Sequence, residues 1–240
     1  MNVFDEMGLY WAEIADHNQT ERQKQLLRKT LNAEGAVLDL ACGTGRHLIG
    51  LGKAGYNVIG LDISAKLLKI AKSRWHEAQL VKGDMRFLPF KPCVFSAAIS
   101  MDQSFGYLSS EMDDLQSLKE LNRTLCSGGV LIVDLFNIEH LVKKLQSNSE
   151  LKWREYPSFF LVQTRNLDSS CGKLHDQWTV YDWVEGDIKV FEHITRLYTC
   201  RGMQGLLEKA VFSVKAVYGD YEMQNWTEDS NRLIFLAKAI

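Results

Sequence analysis

Only three prolines occur in 240 residues, and none marks a linker that would divide the chain. No segment repeats, and no stretch approaches the roughly 18 apolar residues that a membrane-spanning helix requires. The opening "MNVFDEMGLYWAEI" carries acids where a signal peptide would have an apolar core, so the expectation is a soluble, cytoplasmic protein. An excess of positive charge is also missing. Twenty-eight basic residues against thirty acidic ones give a net charge of −2, and the lysines and arginines are scattered. A field able to hold a phosphate backbone is therefore not expected, and neither nucleic acid nor membrane is an expected partner. Cysteines are few, odd in number and widely spaced (Cys42, Cys93, Cys126, Cys171, Cys200), which fits a reducing compartment better than a disulfide framework. His175 and Asp176 have no third ligand close in sequence, so no metal site is expected.

What is present is a rhythm. "AVLDL", "YNVIGLD", "AQLVKGD", "VFSAAIS" and "GGVLIVDLFN" are short apolar runs, separated by helical stretches such as "RHLIGLGKAG", "SAKLLKIAKSRW" and "SSEMDDLQSLKELNRTL". Strands apolar on both faces, alternating with helices, predict an α/β fold: a doubly wound parallel sheet covered on both sides. A helix over 20–31 with Thr20 as its cap precedes them, and Ser64 caps the helix after the second strand. After about residue 150 the rhythm changes. Three strand-like stretches rich in Phe, Trp, Tyr, Val and Thr, with a hairpin turn at Glu185 to Asp187, predict an antiparallel β insert over 150–200. A short helix and two further strands return the chain to its earlier pattern, and the whole reads as one domain over 1–240.

The stretch "VLDLACGTGRHL" runs from a strand through a glycine turn into a helix. Gly43 and Gly45 imply a backbone that approaches a ligand or takes dihedrals closed to other residues. A dinucleotide site would place a third glycine where Leu48 stands. Asp39, in front of the turn, would repel a phosphate and could orient a cationic amino-acid head. Asp62 ends the second strand, where a carboxylate can accept both hydroxyl protons of a ribose, and Asp84 ends the third, followed by Met85 as an apolar platform. Acids without a basic fork describe a neutral or cationic nucleoside.

In the order "VLDLACGTG", "VIGLDIS", "KGDMRFLPF", "FSAAISMDQSFGYL" and "LKELNRTLCSGGVLIVDLFN", the sequence resembles the class I S-adenosylmethionine-dependent methyltransferases, in their small-molecule branch. The resemblance implies a Rossmann-like sheet of seven strands with the last two as an antiparallel hairpin at one edge, and the insert as a lid. It also implies that Ala41, Gly43 and Gly45 pass the methionine part of S-adenosylmethionine, with Ala41 at negative φ. Asp62 would hold the ribose, with Ile63 beside it in the cofactor set, Asp84 and Met85 the adenine, and Ser100 and Met101 the sulfonium side.

The expected reaction is methyl transfer to a nitrogen or oxygen of a small molecule. Phe105, Tyr107, His193 and Arg196 are candidates for acceptor positioning, and His193 or Tyr198 for a base should the acceptor be a hydroxyl. Alternation puts Phe191, His193 and Thr195 on one strand face and Ile188, Val190, Ile194 and Tyr198 on the other. Trp178, Tyr181 and Trp183 read either as core aromatics or as a pocket wall, and Cys93 as a buried small apolar residue. A nicotinamide oxidoreductase, a methyltransferase of RNA or protein, and a non-catalytic nucleoside-binding module stand as alternatives. The sequence leaves the oligomeric state open.

Overall fold

The computed structural model describes residues 3–15, 19–31, 34–145 and 149–240. Two short helices, α1 (Val3–Met7) and α2 (Leu9–Ile14), precede α3 (Thr20–Thr30). Then follow β1 (Ala36–Leu40), α4 (Arg46–Gly52), β2 (Asn57–Asp62), α5 (Ala65–Arg74), β3 (Gln79–Lys82), β4 (Phe95–Ser100), α6 (Glu111–Thr124), β5 (Leu125–Phe136) and α7 (Ile138–Lys144). The second half holds β6 (Ser149–Glu155), β7 (Phe159–Asp168), β8 (Lys173–Asp182), β9 (Asp187–Arg196), α8 (Cys200–Lys209), β10 (Phe212–Tyr218) and β11 (Arg232–Ala239).

Seven strands form one sheet in the order β10-β11-β5-β4-β1-β2-β3. β1 to β5 pair in parallel, while β11 runs antiparallel to both β5 and β10, giving the expected hairpin at one edge. Alternate side chains of β1 feed opposite cores: Leu38 and Leu40 pack with α6 and α8, Val37 with α3 and α4. The helix starts are fixed by side chains, as Ser64, Ser110 and Thr199 accept from the backbone N–H of Leu67, Asp113 and Gly202. Thr20 does not cap α3. Gln19 holds that position without a side-chain capping bond, its Oε1 accepting from Arg22 instead, and the Thr20 hydroxyl accepts from Arg46.

The insert is a separate antiparallel sheet of four strands, β6-β7-β8-β9, rather than three. The extra strand, "SELKWRE", has its polarity reversed. Its apolar Leu151 and Trp153 are 66% and 65% exposed, while the intervening Lys152 and Arg154 share the inner face with Gln163 and Leu161. Trp178 lies on that inner face with Phe159, Leu161, Val180 and Phe191, packed against Met7 and Ile14 of α1 and α2. Tyr181 and Trp183 are exposed instead. The N-terminal helices, absent from the sequence reading because five and six residues are too few to show periodicity, contact both α5 and the insert.

The cysteines depart from expectation. Cys93 is exposed and disulfide-bonded to Cys126, because the backbone N–H groups of Cys93 and Val94 donate to Arg123 and Thr124 and draw the entrances of β4 and β5 together.

Candidate functional site

Three cavities adjoin at the carboxyl ends of the parallel strands. One, about 230 Å³, is lined by Ala41, Gly43, Asp62, Ile63, Asp84 and Met85, together with Phe4, Trp11, Tyr107 and Leu108. Neither Lys nor Arg lines it, whereas three acids do: Asp62, Asp84 and Asp102. A small recess of about 60 Å³ lies behind the glycine turn, lined by Asp39, Ala41, Gly43 and Met101 among others. The largest, about 670 Å³, opens between the two sheets. It shares Trp11, Asp102, Gln103 and Tyr107 with the acid-lined cavity, so the two meet along one wall.

The glycine turn reverses the chain after β1. Ala41, Gly43 and Gly45 all take positive φ, at 57°, 53° and 80°. The negative φ expected for Ala41 is not found: Cys42 N–H must reach the Leu61 carbonyl across the strand ends, and the left-handed residue before it makes the bend, at a cost of about 1–2 kcal/mol. Gly45 lines none of the three cavities. A Cβ there would press on Ala71 and Ile49, so this glycine lets α4 pack on α5. Asp39 is buried and accepts from Leu48 N–H at 3.0 Å, and burial raises its carboxyl to about 7. Ser100 is buried with no partner for its hydroxyl among the described residues.

Asp62 is 7% exposed and ties the turn to the second strand, accepting from Gly43 N–H and Ser64 N–H at 2.8 Å each. Each carboxylate oxygen has two lone-pair sites, so a second donor can be accepted at each. Asp84 is clamped by Arg86, whose guanidinium donates to both oxygens. This pairing, first among the causes, holds the Asp84 carboxyl below the usual carboxylate range. The donor and acceptor set fits S-adenosylmethionine: carboxylates for hydroxyls and for a cationic amino-acid arm, a Met85 and Leu108 surface for a base, and no Lys or Arg in the acid-lined cavity to repel a sulfonium, Arg46 lying in the recess behind the turn, where an amino-acid carboxylate could face it.

The shared wall is built on strained backbone. Asp102 and Gln103, directly after β4, have φ of 58° and 63°. Buried Asp134 of β5 holds them there, accepting from Asp102 N–H at 3.0 Å while its own backbone carbonyl accepts Gln103 N–H at 2.9 Å. The same carboxylate takes Tyr221 O–H and Arg232 Nε, and Asp102 in turn accepts from Arg46. Two consecutive left-handed non-glycine residues persist only where surroundings over-determine them.

Of the acceptor-side candidates, Tyr107 and His193 reach the large cavity, and burial pushes the Tyr107 phenol up to about 12. Phe4, Trp11, Trp178, His193 and Tyr107 form a closed circuit of ring contacts at centroid distances of 5.0 to 5.8 Å. Phe105, Arg196 and Tyr198 are not brought there. Phe105 is buried against Tyr198, while Arg196 and Tyr198 both donate to buried Asp114 at 2.6 Å. Gly106, at φ 98°, has its would-be Cβ 2.2 Å from the Arg196 carbonyl, so these residues fasten the loop that carries Tyr107 to the end of β9. Tyr198 thus lies inside, beyond the strand whose outer face it was expected to share.

Residues unseen in the sequence complete the site. Strand register places Glu150, Arg165, Asp176 and His193 side by side on four neighbouring strands, a lateral row of alternating charge on the inner face of the insert. Arg165 Nε donates to Asp176 at 3.0 Å, and His193 Nε2 lies 3.9 Å from the same carboxylate. Burial lowers the His193 pKa, Asp176 opposes that shift and Arg165 adds to it. Sequence alternation gave a face for His193 alone, and only the register aligns the four.

The family described as "Methyltransferase domain" matches residues 37–129, from β1 into β5. The putative methyltransferase YqeM of Bacillus subtilis is 22% identical over 98% of this chain and 97% of its own. A dTDP-3-amino-3,4,6-trideoxy-alpha-D-glucopyranose N,N-dimethyltransferase of Streptomyces venezuelae is 35% identical, over 45% of this chain and 46% of its own length. The crystal structure of an S-adenosylmethionine-dependent methyltransferase from Clostridium acetobutylicum superposes with a TM-score of 0.81 at 18% identity, over 99% of both chains. The match spans the glycine turn and the acids at the strand ends, and the fold agrees from end to end: residues 37–129 match a methyltransferase domain, and the chain as a whole has the fold of the S-adenosylmethionine-dependent methyltransferases.

Proposed function

We propose that this methyltransferase acts on a nitrogen or oxygen of a small molecule held in the cavity between its two sheets. The observation that carries the reading is the shared wall: a cofactor in the acid-lined cavity and an acceptor in the larger one would meet across Trp11, Asp102, Gln103 and Tyr107. Asp62 and Asp84, with Ile63, Met85 and the turn at Ala41 and Gly43, would hold the nucleoside, and Met101 and Asp39 would border the amino-acid arm. The sugar dimethyltransferase of S. venezuelae, by its name, acts on an amino sugar nucleotide, which supports small-molecule methylation here.

When bound, S-adenosylmethionine supplies a methyl on a sulfonium, which passes to the acceptor lone pair while the C–S electrons stay on sulfur. The chain's residues have to align, dehydrate and take a proton. Alignment of two reactants contributes about 7–11 kcal/mol in well-oriented systems. The ring circuit from Phe4 to Tyr107 excludes water at the junction. His193, its pKa lowered by burial, is neutral at neutral pH and can accept the acceptor's proton, with Asp176 steadying the ring.

An acid-lined cofactor cavity without Lys or Arg disfavours a pyrophosphate, and with it the nicotinamide alternative. Titration calorimetry with S-adenosylhomocysteine and with NAD tests the cofactor half: the former binds and the latter does not. Labelled S-adenosylmethionine supplied to a cell extract tests the acceptor half. Label belongs in low-mass compounds, and label that travels with RNA or protein overturns the proposal.

A further inference from the structure

The lining of the large cavity contains both acids and bases, and their pairing leaves a remainder of one sign. Asp176 accepts from Gln163, Arg165 and Trp178; Asp220 accepts two backbone N–H groups; Asp102 accepts from Arg46. Arg22 is matched by Glu222 and Arg232 by Asp134. Arg232 keeps its buried Nη2 against the Asp134 carboxylate as an ion pair without a hydrogen bond, and two further cations have donors unused among the described residues. Arg165 spends its Nε on Asp176, and neither of its outer nitrogens has a hydrogen-bond partner, the Glu150 carboxylate being 3.9 Å away. Arg154, exposed at the margin of the same cavity, has no acidic partner among the described residues.

Arg165 is also held in place. Its guanidinium lies over the Phe136 ring at 5.4 Å, its Nε is tied to a buried carboxylate, and only 21% of the side chain is exposed. A guanidinium fixed at one edge and open along the other presents a fork suited to two oxygens of one anion. Register places it on β7, with His193 on β9 and one strand between. Two inter-strand spacings put the two backbones about 10 Å apart.

We infer, resting on the proposed function, that the methyl acceptor is a small organic acid, whose carboxylate or phosphate is gripped by Arg165 while its reacting nitrogen or oxygen lies beside His193. Arg154 draws the acid in at the cavity margin. A neutral acceptor would leave the outer nitrogens of Arg165 unmatched in a partly dehydrated cavity, and a purely cationic one would face those nitrogens and the Arg154 guanidinium.

The experiment uses the full chain, labelled S-adenosylmethionine and a low-mass metabolite extract, with products separated on an anion exchanger at neutral pH after the cofactor is removed. Labelled product is expected to be retained. Loss of retention on phosphatase treatment identifies a phosphate monoester, and retention that survives it identifies a carboxylate or a phosphodiester; either supports the inference. Arg165→Gln is expected to lower incorporation at limiting extract at least tenfold, with S-adenosylhomocysteine affinity unchanged by calorimetry. Arg154→Gln, on an exposed side chain whose loss does not threaten folding, is expected to lower it severalfold, and less so at high salt. Labelled product found only in the unretained fraction overturns the acid assignment and leaves small-molecule methylation standing. No low-mass product at all overturns both.

Discussion

Asp39 shows how one buried carboxyl couples the site to stability. Burial raises its pKa to about 7 from an ordinary 3.8, so between those values the native state holds a proton that the unfolded chain has released. Stability contributed by this group is therefore present at low pH and is lost as pH rises through that window. Asp39→Asn keeps an acceptor for the Leu48 N–H and removes the titration, so its urea midpoint should gain on the wild type between about pH 4 and about pH 7. Parallel pH profiles for the two proteins would show that Asp39 stays ionised when folded. His193 carries the other prediction at this scale. His193→Asn should lower methyl incorporation by about 10²–10⁴-fold, the range for a positioned base, and leave S-adenosylhomocysteine affinity within about twofold. Restoration of the rate at raised pH would identify lost proton transfer rather than lost packing.

Between residues 37 and 137 the elements were legible because every strand is apolar on both faces and every helix has a stripe; local pattern and tertiary role agree there. Ser64 as a cap and, beyond that stretch, Gly186 at φ 71° follow from the same agreement, whereas the hairpin at the sheet edge was implied by the family resemblance. The lining of the acid-lined cavity was legible where one residue at one strand end supplies it, as with Asp62 and Asp84. The site was illegible where it depends on register or on short helices. Lys152 and Arg154 face inward while Leu151 and Trp153 face out, the reverse of what hydrophobicity suggests. The two N-terminal helices bring Phe4 and Trp11 to a wall that no motif announces. Trp11 stacks on Trp178 at 5.2 Å, meets Phe4 at 5.0 Å and lines all three cavities. Trp11→Ala should weaken S-adenosylhomocysteine binding about tenfold, roughly 1.4 kcal/mol, whereas Trp178→Ala, outside the acid-lined cavity, should change it less than about twofold. Equal losses in calorimetry would mean that α2 is held in place by the insert and has no part of its own in cofactor binding.

For the molecule as a whole, the Cys93–Cys126 link closes a loop of sequence separation 33 around α6. Constraint of the unfolded chain by a loop of that size contributes about 3–4 kcal/mol in the chain-entropy description. Denaturant unfolding with and without a reductant should differ by that amount, and Cys93→Ser should reproduce the reduced value; coincident curves would mean that the link adds nothing to stability. The strand order has a different kind of consequence. β11, residues 232 to 239, lies inside the sheet between β5 and β10, with Lys238 opposite Val130 and Arg232 opposite Phe136. While this chain is being synthesised, β5 emerges roughly a hundred residues before its neighbour exists, and at about 5–20 residues per second its apolar edge stays unpaired for several seconds. An edge left open for that long is where the incompletely made chain is most exposed to strand-to-strand association.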